Sequence, residues 1–482
     1  MLQLVATNFL GKSPRWYKIT ILSFLILNPL VYFLFSPFVA GWAVLIEFIF
    51  TLALALQAYP IAAGGLLALE AAIIGISSPQ TIYREVATNL PTLLLLIFMV
   101  ASIYYLKDVL SLIFTKIFLI FRKKWLVSLA FCIITAALSS FLDALTVLAV
   151  LIAVIFNFYS IYHRMADVHE DNEELEEFRA FLRNMIMHAA VGTAMGGTLT
   201  LVGEPQNLMI GDKMGWDFVQ FFHRCGFIAV PVTISGFILC PLLEIFKVPG
   251  FGHQLSDNIR QLIVDDYKRK TKEFTGQNTY KYVLQAIVAL LLFVALGKHM
   301  AQVGLIGIGV IIVIAAFTGI TKEHDFAEPF HNAMPFATLI VIFFAILGVV
   351  HDQHLVTPAI QWVLTAFEGR TQLLILYIVN GAISMISDSV FVASIFISEV
   401  ENAFNAGAFS REWYNNLAVV INMGTNIPSL GTPNGTAGFL FLLTSALSPV
   451  IRLSYLRMFL LMLPYYIVLT TVGGVIVYFF LH

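Results

Sequence analysis

Met195-Gly-Gly-Thr-Leu-Thr-Leu-Val-Gly203-Glu-Pro205-Gln-Asn207 and Met423-Gly-Thr-Asn-Ile-Pro-Ser-Leu-Gly431-Thr-Pro433-Asn-Gly are the two stretches on which the fold turns. In each, Met-Gly is followed by Gly-x-Pro, and the copies stand 228 positions apart (195 to 423, 203 to 431, 205 to 433). Glycine and proline interrupt helical hydrogen bonding. Hydrocarbon tolerates an interruption only where the freed backbone is buried in protein or lines a cavity. Two breaks at one offset predict a chain built as two related halves, each with a discontinuous membrane helix. Upstream of each break lies an apolar run with one aspartate. These runs are Ser139-Ser-Phe-Leu-Asp143-Ala-Leu-Thr146 and Ser384-Met-Ile-Ser387-Asp388-Ser389-Val.

The composition agrees. Apolar residues fill 59% of the 482 positions and charged residues 12%, with a mean hydropathy of +0.87. Soluble domains are roughly half apolar and about a quarter charged, so this chain could not hide its apolar surface from water. Uncharged runs such as Ile19 to Phe35, Tyr282 to Gly297 and Phe459 to Leu481 approach the roughly 20 residues that span about 30 Å of hydrocarbon. They predict an all-α integral membrane protein with about 10–12 transmembrane helices plus shorter apolar pieces that re-enter. A net charge of −2 gives no reason to expect a nucleic-acid partner. Cys132, Cys225 and Cys240 show neither metal spacing nor a disulfide pattern, and read as small buried apolar side chains. Lys12, Arg15 and Lys18 precede an apolar run as in a signal peptide. The hydrophobicity nevertheless resumes from Val39 to Leu56, as in uncleaved membrane helices. No soluble catalytic domain is left over, so no catalytic residue is assigned and the chain reads as a non-enzyme.

Charge clusters mark the loops. Arg122-Lys123-Lys124 closes one group of spans, and the stretch 163–183, strongly acidic, reads as an interfacial helix. The polar segment from Lys247 to Lys281 carries Arg260, Lys268, Arg269, Lys270 and Lys272. The positive-inside bias puts the N-terminus, 122–124 and 247–281 in the cytoplasm. The expected organisation is a scaffold of N-terminal membrane helices (1–90), a first half with hairpin and broken helix (91–246), a polar cytoplasmic linker (247–280) and a second such half (281–482).

The residues able to carry chemistry gather at the breaks. Thr198, Thr200, Glu204 and Asn207 flank Gly203 in one, and Asn422, Thr425, Asn426, Thr432 and Asn434 flank the other. Hydroxyl and amide oxygens with freed carbonyls are what a small hard cation such as Na⁺ needs in place of water. The bland alternative is a packing kink, since Gly and Pro are common in membrane helices. Asp143 and Asp388 sit among apolar neighbours, where a charge costs roughly 2.5–3.5 kcal/mol on insertion scales. The runs Trp125 to Tyr159 and Gln372 to Val400 exceed one span, which suits hairpins with an aspartate at each tip. Ser139, Ser140 and Thr146 accompany Asp143, and Ser384, Ser387 and Ser389 accompany Asp388. Glu47 and Glu70 read as satisfied inter-helix acceptors, His188 as a hydrogen-bonded structural histidine, and Glu399 and Glu401 as marks of a helix end at the interface.

At these residues the sequence resembles the NhaB family of bacterial sodium/proton antiporters, in a superfamily that also holds dicarboxylate and arsenite carriers. The likeness spans nearly the whole chain. It is most specific in Ser-Phe-Leu-Asp143-Ala-Leu-Thr, Gly203-Glu-Pro-Gln-Asn207 and Gly424-Thr-Asn-Ile-Pro-Ser-Leu-Gly-Thr-Pro-Asn434-Gly. The resemblance implies two inverted repeats, each with a re-entrant hairpin facing an interrupted helix. It also implies a separate scaffold, often a homodimer, elevator-like alternation, residence in the bacterial inner membrane, and Na⁺ and H⁺ as substrates with no cofactor. Dicarboxylate carriers of the superfamily place Ser-Asn-Thr at each tip, where this chain has Leu-Asp143-Ala and Ser-Asp388-Ser. A tip carboxylate repels a dianion and attracts a cation.

The expected mechanism is competition, with one carboxylate holding Na⁺ or H⁺ but not both. Asp143 with Asn207 is the principal expected sodium site, and Asp388 with Asn426 a second. Three other readings stand beside it: a sodium-coupled di- or tricarboxylate symporter, an intramembrane aspartyl protease, and a passive channel. Against the protease, neither aspartate has a Gly-x-Gly-Asp context.

Overall fold

Helices start where the sequence supplies a proline or a hydroxyl cap. Pro37, Pro60 and Pro205 each open a helix, where a missing N–H costs nothing. Ser36 also caps the Pro37 helix, and Ser410, Thr436 and Ser454 cap others, each through its side-chain oxygen. The computed structural model describes residues 8–54, 58–142, 144–165, 173–272, 276–298, 300–327, 329–355, 357–385 and 389–481, and every regular element among them is helical.

In chain order, the helices that build the core and the site are α1 (Arg15–Leu34), α2 (Pro37–Ala53), α3 (Pro60–Ile74), α4 (Lys107–Ile120), α5 (Lys124–Ser139), α6 (Ala144–Met165), α7 (Glu173–Gly197), α8 (Pro205–Met214) and α9 (Phe218–Ile245). There follow α10 (Asp257–Lys272), α11 (Gly276–Gly297), α12 (Val303–Thr318), α13 (Phe330–Asp352), α14 (Gly369–Ser384), α15 (Ser389–Asn405), α16 (Arg411–Asn426), α17 (Ala437–Thr444) and α18 (Tyr455–Phe480). Among the described residues, five helices are long and apolar enough to cross a bilayer: Arg15–Leu34, Phe218–Ile245, Thr279–Leu296, Ala333–Asp352 and Tyr455–Phe480. Shorter apolar helices accompany them, among them α2, α3, α5 and α12. The Ala333–Asp352 window is 65% buried and that of Arg15–Leu34 only 17%. So α13 is central, packed on α2 and α3, while α1 is peripheral.

Both predicted breaks are present. α7 ends at Gly197 and α8 resumes at Pro205; α16 ends at Asn426, and a 3₁₀ turn (Pro428–Gly431) leads to α17. In each aspartate-bearing run one helix follows another, α5 then α6 and α14 then α15, with the aspartates between them outside the described residues. α5 packs along α7, and α14 along α16. Glycines permit these approaches. A Cβ on Gly192 would lie 2.4 Å from Cys132 O, and one on Gly424 would lie 2.9 Å from Tyr377 O. Likewise Gly203 meets Ser139 O at 2.9 Å and Gly435 meets Ser384 O at 3.1 Å. Thr200 donates to Ser140 O, and Thr432 to Met385 O. These pairs recur 232 positions apart along the broken helices (192 to 424, 200 to 432, 203 to 435) and 245 apart along the preceding runs (132 to 377, 139 to 384). The packing therefore does not follow the letter match at 228. More chain separates the first aspartate-bearing run from its break than separates the second from its own.

Two local expectations change. In the acidic stretch 163–183, residues 166–172 lie outside the described residues, and the described flanks form no separate interfacial helix. His163 belongs to α6, whereas Glu173 to Arg183 form the opening turns of α7. Glu173, Glu174 and Glu176 fall in its first turn, where the helix dipole favours anions. Leu175, Phe178 and Leu182 recur at helical spacing and are buried. Nor do Glu399 and Glu401 end a helix, because α15 continues to Asn405. Glu399 is buried, and Glu401 pairs with Lys213 at 3.0 Å.

Candidate ion site

Four helices begin at one small cavity. Its wall includes Ala144 of α6, Pro205 of α8, Ser389 of α15 and Ala437 of α17, the first residue of each. It encloses about 20 Å³, room for a single water-sized particle. The halves cross over here, with α8 packing on α15 and α6 on α17. A helix N-terminus presents unpaired N–H groups and a partial positive charge, so it favours an anion. The sequence supplies one just ahead of three of the four ends: Asp143 before Ala144, Glu204 before Pro205 and Asp388 before Ser389. Glu204 itself lines the cavity. Asp143, Ser387 and Asp388 lie outside the described residues, as does the Thr146 side chain.

An amide ladder joins the two breaks across the cavity. Gln206 Nε2 donates to Asn426 Oδ1 at 2.7 Å, and Asn426 Nδ2 donates to Asn207 Oδ1 at 2.9 Å. Asn426 Nδ2 also lies 2.5 Å from Asn422 Oδ1, while Asn207 Nδ2 reaches Gly197 O at 2.7 Å and Thr200 O at 2.8 Å. Gln206 was not anticipated from the sequence. One helical position away from Asn207, it carried no signal beyond its neighbours.

Most of the hydroxyls serve the backbone rather than an open ligand position. Thr198 donates to Met195 O, Ser140 to Ala136 O and Gly196 O, and Thr425 to Ile421 O and Asn422 O. Ser389 bridges Thr425 O and Gly435 O at 2.9 and 2.8 Å. Met195 O, Gly196 O, Thr425 O and Gly435 O lie at the breaks and gain a partner there, as hydrocarbon demands, while the bonds to Ala136 O, Ile421 O and Asn422 O are back-bonds within a helical turn. Asn434 departs from the group. Its amide donates to Ala53 O at the end of α2, tying the second break to the N-terminal helices. Gly203 has no space for any side chain, since a Cβ would lie 2.5 Å from Gly197 O.

Ser139 and Ser384 differ from the rest. Both are wholly buried, and neither Oγ has a hydrogen-bond partner among the described residues. They occupy matching positions at the ends of α5 and α14. An unmade buried hydrogen bond costs about 1–3 kcal/mol, and the two sites carry that cost at matching positions.

Other buried ionisable groups lie apart. Asn28 Nδ2 bridges Glu47 Oε2 at 2.7 Å and Glu70 Oε2 at 2.8 Å, as expected of inter-helix acceptors. His188 is held by Tyr465 at 2.7 Å and Glu244 at 2.8 Å, and Glu244 also pairs with Lys124 at 3.0 Å. All three cysteines are buried.

Over residues 1–482 the chain matches the family described as Bacterial Na⁺/H⁺ antiporter B (NhaB). A protein of Photobacterium profundum named Na(+)/H(+) antiporter NhaB is 51% identical, covering 97% of this chain and 91% of its own length. One of the same name from Saccharophagus degradans is 51% identical over 98% of each chain. Another, from Hahella chejuensis, is 50% identical over 98% of this chain and 97% of its own. The chain belongs to the NhaB family of bacterial Na⁺/H⁺ antiporters.

Proposed function

We propose that the chain is a secondary transporter that expels Na⁺ in exchange for H⁺ across a bacterial inner membrane, through the cavity between the two breaks. The observation that carries the reading is the convergence of four helix N-termini on a space for one small particle, with a carboxylate residue ahead of three of them. The N-termini favour the carboxylates in anionic form. A buried anion in turn demands a counter-charge, which either a proton or a sodium ion supplies. One such site cannot hold both. If only an occupied site crosses readily, competition alone yields exchange, and an inward proton gradient drives sodium out.

Within this reading, Asp143 and Asp388 are the titrating groups. They stand 245 apart (143 to 388), the spacing that also relates Ser139 to Ser384, and each follows one of those unpartnered hydroxyls by four residues. The recurrence of contacts between each hairpin and its own broken helix supports two inverted repeats with re-entrant tips. Uptake of di- or tricarboxylates finds no support among the named relatives, and the tip aspartates oppose it.

The test uses everted vesicles with an established pH gradient. Addition of NaCl should dissipate part of the gradient, whereas choline chloride should not. An equal response to both salts would remove the antiport reading.

A further inference from the structure

Away from the ion site, a second and much larger cavity, about 880 Å³, opens between the N-terminal end of α5, the C-terminal end of α9, and α10. Its wall carries Arg122, Lys123, Lys124, Lys247, Arg260 and Lys268, against only Glu244 and Asp257. Two of the cations are engaged. Lys124 pairs with Glu244 at 3.0 Å, and Arg260 donates to Phe118 O, Leu119 O and Phe121 O. Arg122, Lys123, Lys247 and Lys268 have no ion pair among the described residues. Burial and the adjacent Arg122 pull the Arg260 guanidinium below its ordinary value, although Asp257 opposes them. Six cations thus share this wall with two carboxylates, too few to relieve their mutual repulsion.

The cavity is continuous with an apolar surface. On α9 and just beyond it, Ile234, Ile238, Leu242, Ile245 and Phe246 are exposed, at spacings of three and four that place the helical ones on a single face. Ile245 belongs to both this face and the cavity wall, and Trp125, a residue type suited to the bilayer interface, lines the cavity too. A polar, cationic volume joined edge to edge with a lipid-facing stripe fits a ligand with an anionic head and apolar tails.

We propose that this cavity binds the phosphate head group of an anionic phospholipid, whose acyl chains run along the exposed face of α9. The lipid bridges α10 to α5 and α9, supplying the negative charge that the wall lacks. The site is independent of the ion cavity. Basic pockets between membrane helices recur as head-group sites, and each Lys or Arg near a membrane surface contributes about 1 kcal/mol, roughly five-fold in affinity.

Native mass spectrometry of the protein extracted from membranes containing phosphatidylethanolamine, phosphatidylglycerol and cardiolipin tests this. Wild type should retain the anionic lipids in preference to phosphatidylethanolamine. Lys123→Gln with Lys247→Gln should weaken retention about 25-fold. Lys298→Gln with Lys322→Gln removes the same charge elsewhere on the exposed surface and should leave retention unchanged. A single Lys123→Gln, checked for folding by size-exclusion profile, should give an intermediate loss. In phosphatidylcholine nanodiscs, cardiolipin should raise the unfolding temperature and inorganic phosphate should not. Equal retention by wild type and the Lys123/Lys247 variant, or equal loss in the control pair, overturns the proposal. Stabilisation by inorganic phosphate matching that by cardiolipin would make this a free-anion site and sink the lipid assignment.

Discussion

Ser139 and Ser384 offer the cleanest separation of binding from folding. A hydroxyl without a partner gains nothing from being buried, so Ser139→Ala and Ser384→Ala should keep expression and unfolding temperature at or slightly above wild type. Should both hydroxyls be sodium ligands, the half-saturating sodium concentration rises several-fold in each. An unchanged sodium dependence in vesicles would return them to the packing. Asp143→Asn retains shape and hydrogen-bonding capacity but loses the titrating charge, and exchange between pH 6.5 and 8.5 should vanish at normal abundance. Wild-type rates from Asp143→Asn would defeat the competition mechanism as placed here. The same result for Asp388→Asn would leave one site instead of two. Both aspartates stand out in the sequence as charges that hydrocarbon would not accept without a reason, and both lie outside the described residues. The work of the hydroxyls was not legible, because a threonine that repairs a broken helix and one that coordinates an ion are the same letter. Asn434 shows the same limit: its amide nitrogen donates to Ala53 O on α2 while its oxygen stays buried without a partner among the described residues, and neither direction can be read from the letter.

The broken helices were legible as elements, through Gly and Pro in otherwise apolar runs. Their register was not. Identical letters at 228 rewarded Met-Gly and Gly-x-Pro, whereas packing is decided by which glycine faces which carbonyl, and that occurs at 232 against 245. The absence of a side chain at those faces is testable. Gly196→Ala would place a Cβ 2.0 Å from Ala136 O, and Gly435→Ala would place one 2.0 Å from Ser429 O. Each should cost about 1–3 kcal/mol, the usual cost of overpacking, and lower the unfolding temperature in detergent. Gly309→Ala meets nothing within 4 Å and should leave the temperature unchanged or raise it slightly. Equal behaviour of all three would mean that the close approach of α5 to α7 is not a constraint. The acidic opening of α7 shows a different blindness. Its glutamates read as part of an interfacial helix until the buried Leu175, Phe178 and Leu182 are recognised as one packed helical face.

For the whole molecule, composition alone sufficed to place the chain in a membrane, and the Lys/Arg clusters predict which loops stay in the cytoplasm. Single cysteines at position 123 and within 265–272 should resist an impermeant thiol reagent applied to intact cells; labelling from outside would invert the orientation. The amide ladder has a mechanical meaning at this scale. Gln206 and Asn207 on α8 grip Asn426 on α16, and on the proposed reading this gears the two breaks together so that neither faces its own side of the membrane alone. Whatever Asp143, Asp388 and Glu204 carry on that reading travels as one load. The currency of the cycle is then the total charge of that load on each leg, and a mismatch between the legs makes the exchanger a generator, its speed set partly by voltage at about 2.3 kcal/mol per uncompensated charge per 100 mV.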